Sequence, residues 1–420
     1  MPPTMTGDAL KGTTLPRPAE RVPNGLRVAI VQYWLNGYGG AERVLEAWAE
    51  IFPDADLFAP MASEHGIPPK LRKMPLETSF VGSLPGVKRW HRHFLPLYPY
   101  ALEQFDLSRY DLVISSESGP AKGVITSPRT CHICYSHSPM RYIWDQYHEY
   151  RKRMNPLTRT AFSLAAHYAR LWDVTAATRV DYFVANSSYV ASRIRKYYRR
   201  ESTVIHPPVD VEAGYISPSI EDYYLVVSRL VPYKRVDLAI QACNQLSRRL
   251  RIVGTGPEYK GLKKIAGPTI EFLGRLEEHS LGETYSRCRA LLFPAEEDFG
   301  IVPVEAQSFG RPVIAYGQGG CLETVLALSS NGECEDAAHS SGVFFDVQSV
   351  DGLSDGIATF ERVEPMFRSK FIRAHAEQFS LDRFKSDFVD FACEKLAEFR
   401  SINLPRTEKR RAPSLLTPAR

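Results

Sequence analysis

Two apolar runs, each followed by a glycine-containing turn and then by apolar residues at helical spacing, set the architecture open to this chain. The first is RVAIVQYW, the turn LNGYGG and the stretch AERVLEAWAEIF, beginning at Arg27. The second runs from Ala290 to Pro294, passes through the acidic turn EEDFG, continues as a helix-like stretch from Pro303 to Phe309 and ends in a further strand-like run, Pro312 to Tyr316. A short continuous apolar run bounded by a turn reads as a buried parallel strand, and the 3.6-residue spacing behind it as a covering helix. Strand, helix, strand is the βαβ unit. In sheets built from it, ligands lie beyond the carboxyl ends of the strands, where helix N-termini present free N–H groups.

Further strands are expected at Leu112 to Ser115, His132 to Tyr135 and Tyr182 to Ala185. After VIHPPVD, where Pro207 and Pro208 interrupt regular structure, a second alternating series places strands at Tyr224 to Val227, Leu250 to Val253, Ile270 to Phe272, Ala290 to Phe293 and Pro312 to Ala315. Helix-like segments follow, from about Pro365 to Phe379 and from Leu381 to Phe399. The expected organisation is a disordered tail over 1–25, an α/β Rossmann-like domain over 26–206, a second over 207–380, a helix over 381–400 and a disordered basic tail over 401–420. The two ends are rich in Pro, Thr and basic residues and lack hydrophobic periodicity.

Composition narrows the function. With 420 residues, 44% apolar and 24% charged, the chain has the balance of an ordinary soluble protein of two or three domains. A formal charge of only +4 excludes nucleic-acid binding through a dominant basic field. No run approaches the length of a membrane span, and the N-terminal residues lack the apolar core of a signal peptide, so a cytoplasmic location is expected. Seven cysteines at irregular spacing suit a reducing compartment. Cys131 and Cys134 form a Cys-x-x-Cys without a second pair, and read as buried small side chains. Asp54 and Asp56 read as a turn before a strand.

Within the second unit, Glu297 and Glu305 lie eight positions apart around FGIVPVEA. This segment resembles the Glu-x7-Glu signature of the family-four retaining glycosyltransferases. The resemblance implies the GT-B fold, with two Rossmann-like doubly wound domains facing a central cleft and a final helix crossing back to the first domain. It further implies a nucleotide-sugar donor, no cofactor and no metal ion. Glu297 is then the ligand of donor-sugar hydroxyls, Glu305 the ligand of the ribose, and the amides of Phe299, Gly300 and Ile301 contacts to sugar and phosphate.

Other motifs fit this scheme. SRLVPYKRVD offers Arg229 and Lys234, which match the family's pair on the donor diphosphate; cations there stabilise the charge that builds on a leaving phosphate. Gly39 and Gly40, in the first turn, resemble the glycine-rich loop facing the donor phosphate and the acceptor. Gly254 and Gly256 keep two glycines of a dinucleotide fingerprint, but Tyr259 occupies the third position, which disfavours an oxidoreductase. They resemble instead the family's turn beside the nucleotide, and the backbone at Leu276 is expected against the nucleobase.

The segment YSHSPMRYIWDQY carries His137, Arg141 and Asp145 just after a strand, and resembles bacterial polysaccharide mannosyltransferases of the family, as does ESGPAKGV. His137 is expected either to bind the donor sugar or to position the acceptor hydroxyl, and Arg141 and Asp145 to lie on the acceptor side. The expected activity is transfer of mannose from GDP-mannose to a polyprenyl-diphosphate-linked glycan. A UDP-sugar hexosyltransferase and a catalytically silent sugar-nucleotide binder are the alternatives. Finally, Lys88, Arg89 and Arg92 interleave with Trp90, Phe94, Tyr98 and Tyr100, a composition fit either for an anionic membrane surface or for a basic helix followed by a proline-rich loop.

Overall fold

The computed structural model describes residues 17–152, 154–328 and 334–403. Val28–Gln32 (β1), buried along its whole length, pairs in parallel with Asp56–Ala59 (β2) on one side and Leu112–Glu117 (β4) on the other. Leu76–Thr78 (β3), Cys131–Ser136 (β5), Tyr182–Ala185 (β6) and Ser202–Val204 (β7) complete a parallel sheet of order β3-β2-β1-β4-β5-β6-β7. The second sheet has the order β10-β9-β8-β11-β12-β13. Its strands are Tyr224–Val227 (β8), Leu250–Val253 (β9), Ile270–Gly274 (β10), Leu291–Phe293 (β11), Val313–Tyr316 (β12) and Gly342–Phe345 (β13). Chain order reverses between β1 and β4 in one sheet and between β8 and β11 in the other. Such switch points leave a crevice where the flanking loops turn to opposite faces.

The last helix, Leu381–Asn403, leaves the second domain and packs on the first. Phe384, Phe388, Leu396 and Phe399 join the core beneath the Gly40–Ile51 helix, with the Phe388 ring 5.1 Å from Trp48. Each buried Phe contributes about 2 kcal/mol relative to exposure, so this apolar face ties the chain's end to its beginning. Lys385 adds an ion pair to Glu50 at 2.8 Å.

Three expectations need correction. Residues 17–25 of the expected disordered tail are ordered: Pro18–Arg21 forms a single turn of helix, Arg21 reaches Asp390 at 2.6 Å, and Val22 packs on the first core. The C-terminal helix also passes the expected boundary at 400, to Asn403, although its last buried residue is Phe399. The remainder of the two expected tails, 1–16 and 404–420, lies outside the described residues. Tyr98, which the membrane-surface reading of its segment puts at an interface, is fully buried and donates its hydroxyl to the His91 carbonyl at 3.0 Å, while Trp90 and Tyr100 of the same segment are exposed. The Arg92 side chain lies outside those described.

Candidate active site

A cavity of about 1300 Å³ lies between the domains, at the two switch points. The loop after β1 contributes Tyr33, Gly39 and Gly40 to its wall, that after β4 Ser118, and that after β5 His137 and Arg141. From the second domain come Arg229 and Tyr233 after β8, and the run from Glu297 to Val302 after β11.

On the second-domain side, Glu297 forms an ion pair with Lys234, which brings together two of the residues expected in catalysis. The Glu297 backbone is held by the turn after β12, its carbonyl accepting the Gly320 N–H at 2.8 Å beside a bridge to Gly319. Gly300, at φ +90°, adopts a conformation that favours glycine and begins the Ile301–Ser308 helix without a side-chain cap. The first-turn N–H groups of that helix therefore keep their hydrogen-bonding capacity and partial positive charge at the cavity wall. Arg229 is exposed at the rim, with a guanidinium nitrogen 3.5 Å from the Tyr233 hydroxyl.

On the first-domain side, the His137 N–H donates to the Glu117 carbonyl at 2.8 Å, and Nε2 lies 2.9 Å from Ser116 Oγ. Burial pushes its pKa down to about 3, so the imidazole is neutral at ordinary pH. Behind it, Glu117, Lys122 and Asp173 form a fully buried charge cluster. Trp144 Nε1 and the Tyr198 hydroxyl also donate to Asp173, at 2.7 and 3.0 Å. Glu42, which lines the cavity, is likewise raised above the usual carboxylate range by burial.

Not all of the expected residues meet here. Gly39, Gly40, His137, Arg141, Arg229, Glu297, Phe299, Gly300 and Ile301 line the one cavity, with Lys234 joined to it through Glu297. Glu305 instead has two protein partners, Tyr285 at 2.9 Å and Arg43 of the first domain at 3.1 Å. Gly254 and Gly256 lie against the β8 loop, where an added Cβ would fall 1.8 Å from the Ser228 carbonyl and 2.2 Å from that of Leu230. Leu276 packs half-buried against the second-domain core. Asp145 and Arg141 belong to an interdomain network. Arg193, on the Ser188–Tyr198 helix, pairs with Asp145 at 2.6 Å and with Asp298 of the second domain, and Arg141 lies 3.6 Å from both carboxylates.

Arg193, Asp298, Glu323 and Glu42 escape the sequence reading. Asp298 carries a signal, standing beside Glu297 in the acidic run EED; Arg193 sits in an ordinary basic helix and carries none. Among the described residues, no group of three or more His, Cys, Asp or Glu side chains is placed to hold a metal ion. Asp56 engages Arg109 at 2.8 Å, and Cys131 and Cys134 are buried.

Two doubly wound domains that share one cleft at their switch points make up the GT-B architecture. The model described as Glycosyltransferase Family 4 matches residues 38–213, and that described as Glycosyl transferases group 1 matches residues 215–378. The chain belongs to the family-four glycosyltransferases.

Among its relatives, an uncharacterised glycosyltransferase of Methanocaldococcus jannaschii is 29% identical over 156 residues, which is 36% of this chain and 44% of that protein. A GDP-mannose-dependent monoacylated alpha-(1-6)-phosphatidylinositol monomannoside mannosyltransferase of Corynebacterium glutamicum is 31% identical over 180 residues, 35% of this chain and 47% of the relative. The chain spans about half the length of the curated relatives it matches. Of the solved structures, Anabaena HepE in complex with UDP aligns with a TM-score of 0.63 at 17% identity, covering 88% of this chain and 100% of that one. Sucrose-phosphate synthase of Thermosynechococcus elongatus aligns at 0.65 and 15% identity, covering 89% and 100%. At these identities the likeness is one of fold.

Proposed function

We propose that this protein is a retaining glycosyltransferase that moves mannose from GDP-mannose onto a lipid-linked glycan without a metal ion. The observation that carries the reading is the Lys234–Glu297 pair beside Arg229 and the uncapped Ile301–Ser308 helix, on the wall of a cleft shared by both domains. As the glycosidic bond stretches, negative charge builds on the leaving diphosphate; Arg229, Lys234 and the helix N-terminus stabilise that charge more than they do the ground state. Glu297 then binds hydroxyls of the donor sugar, and Glu305 exchanges Arg43 for the ribose. Attack comes from the donor's front face, and the leaving phosphate takes the acceptor's proton. Neutral His137 donates or accepts a hydrogen bond at the sugar or the acceptor hydroxyl, depending on its tautomer. The mannosyl assignment is supported by the name of the Corynebacterium relative and by the HSPMRY segment.

A second reading, a UDP-sugar donor, is favoured by the likeness to Anabaena HepE in complex with UDP-glucose. The two separate in a thermal-shift titration with GDP, UDP, GDP-mannose and UDP-glucose, each with and without EDTA, since a ligand of the native state raises the melting temperature according to its affinity. Stabilisation by the guanine pair that survives EDTA is expected. Preference for the uracil pair moves the assignment to a UDP-sugar, and no shift with any of the four overturns the enzymatic reading in favour of a silent fold.

The same reading puts the protein at the cytoplasmic face of a membrane, where exposed Lys88, Arg89, Trp90 and Tyr100 meet anionic headgroups. Binding to anionic vesicles that survives reversal of both charges removes Lys88 and Arg89 as the contact, and no binding by the wild type overturns the placement. Among the described residues, no helix is long and apolar enough to cross a membrane.

A further inference from the structure

The interdomain cavity has an arm that sugar chemistry does not use. Beyond His137 its wall is largely apolar, with Leu95, Pro96, Met140, Ile143, Phe162 and Trp172 standing among fewer polar side chains, Tyr142, Gln146 and Tyr150; they come chiefly from the 91–99 segment, the loop after β5 and the Pro156–Thr178 helix. Sugars and phosphates are recognised by convergent hydrogen-bonding groups, and an apolar wall offers them little. We propose that this arm binds the hydrocarbon chain of the acceptor, an acyl or isoprenoid tail whose sugar-bearing end lies in the cleft.

Three observations converge on that occupant. The arm and the cleft are one continuous cavity, so a molecule in the arm reaches the transfer site without crossing solvent. Most of the donor's expected contacts, Arg229 and Glu297 to Ile301, come from the second domain and the rest from the loop after β1, whereas the arm is built from other segments of the first, which leaves the acceptor as its guest. The helix forming one wall also presents Leu157, Leu164 and Leu171 outward, 82, 59 and 56% exposed, at intervals of seven that put them on one face. An apolar stripe of this kind is unfavourable in water and suits the acyl boundary of a bilayer; exposed Arg151 stands just before that helix for an anionic headgroup.

The inference deepens the proposed transfer to a lipid-linked acceptor and rests on it. Its test uses methyl, butyl, octyl and dodecyl mannosides below their micellar concentrations, with binding measured calorimetrically to the full chain, to Ala165→Phe and to Ala169→Phe. Ala165 is exposed and Ala169 half-buried, both in the cavity wall, so the added rings fill the arm rather than the core. Burying one methylene is worth about a fourfold gain in affinity. From butyl to octyl, affinity is expected to rise at least about tenfold in the wild type and less than about threefold in either variant. GDP and UDP affinities and melting temperatures should stay unchanged. A flat chain-length series in the wild type, or a gain that persists in both variants, overturns the proposal. Chain-length dependence lost in the variants, in a protein that binds no nucleotide, supports the arm and overturns the transferase reading instead.

Discussion

Glu323 of the second domain caps a helix of the first: its Oε1 accepts the backbone N–H of Ser188 at 2.7 Å, where the Ser188–Tyr198 helix begins. The Tyr189 N–H reaches the same oxygen at 3.3 Å, and His206 Nε2 lies 3.0 Å from Oε2. A carboxylate at this position meets unsatisfied donors and the positive end of the helix. Burial alone would raise its pKa, but hydrogen bonds from His206 and Ser188 outweigh that and hold it below the usual carboxylate value. A depressed acid stabilises the fold above its unfolded pKa and loses that contribution as pH falls through the folded value. Glu323→Ala is therefore expected to cost about 1 kcal/mol at pH 7, and the deficit in melting temperature should shrink once the pH drops below about 4.5. A deficit that is constant down to pH 3 would remove the cap from the account.

Lys234 is the cation whose loss should show most clearly in the chemistry. Lys234→Ala removes a charge that acts on the leaving phosphate and leaves Glu297 without its partner. The expected fall in kcat is about 10²-fold or more, with a smaller change in donor KM, as for other groups aimed at transition-state charge. Single-turnover kinetics check it; a rise in KM alone would reduce Lys234 to a ground-state binding residue.

The buried cluster behind the cleft has its own signature. Lys122 lies between Glu117 and Asp173 with no exposed surface on any of the three side chains. Burial raises the Glu117 pKa to about 7 even though Lys122 works to lower it. Lys122→Met leaves two buried carboxylates without their cation and should destabilise by about 3–5 kcal/mol, read from urea unfolding. Replacing all three groups, as Lys122→Met with Glu117→Gln and Asp173→Asn, should recover most of the loss. If the triple variant is as unstable as the single, packing rather than charge accounts for the cluster.

His137 titrates too low to serve as a base at neutral pH. With its pKa near 3, the unfolded chain binds a proton there that the folded chain does not, between about pH 3 and 6.5, so stability drops as pH falls through that window. His137→Gln should flatten that part of the melting curve against pH. It should lower kcat while leaving the acid limb of the pH–rate profile where it was. Disappearance of a limb between pH 6 and 7 in the variant would assign His137 a proton-transfer role.

How much of this was legible depended on what each residue contacts. The strands Tyr182–Ala185, Tyr224–Val227 and Leu250–Val253 lie where the apolar runs place them, because a strand buried on both faces writes a continuous signal. β3, β7 and β13 were missed; the first two are three residues long and the last begins with glycine, too little to rise above loop. Glu297 and Gly300 could be found because a turn between strand and helix is local. The Arg193–Asp298 pair spans 105 positions and two domains, and neither side chain has a neighbour in sequence that predicts the other. Gly254 shows a different limit: the sequence announces a glycine turn but not that the turn lets the backbone of Ser228 approach closely.

Gly40 offers the sharpest test of how closely the domains must approach. A Cβ built on it would fall 2.4 Å from Ile301 Cδ1, below any real contact, with the next nearest atom, Ile301 Cγ1, at 3.9 Å. The clash is thus with one side chain, from the helix whose N-terminus lies in the donor half of the cleft. Gly40→Ala should leave each domain folded, since helical alanine is favoured over glycine by up to about 1 kcal/mol. It should nevertheless weaken donor binding by holding the first-domain loop away from Ile301. Ile301→Ala removes the obstructing atoms, so the double variant should regain most of the affinity lost in Gly40→Ala, giving a coupling of about 1 kcal/mol or more in a double-mutant cycle. Calorimetric titration of the preferred nucleotide into the four proteins reads this directly. Additive losses would mean that the glycine is required for its backbone and not for the contact; recovery would make domain approach at Gly40 and Ile301 the step that assembles the site.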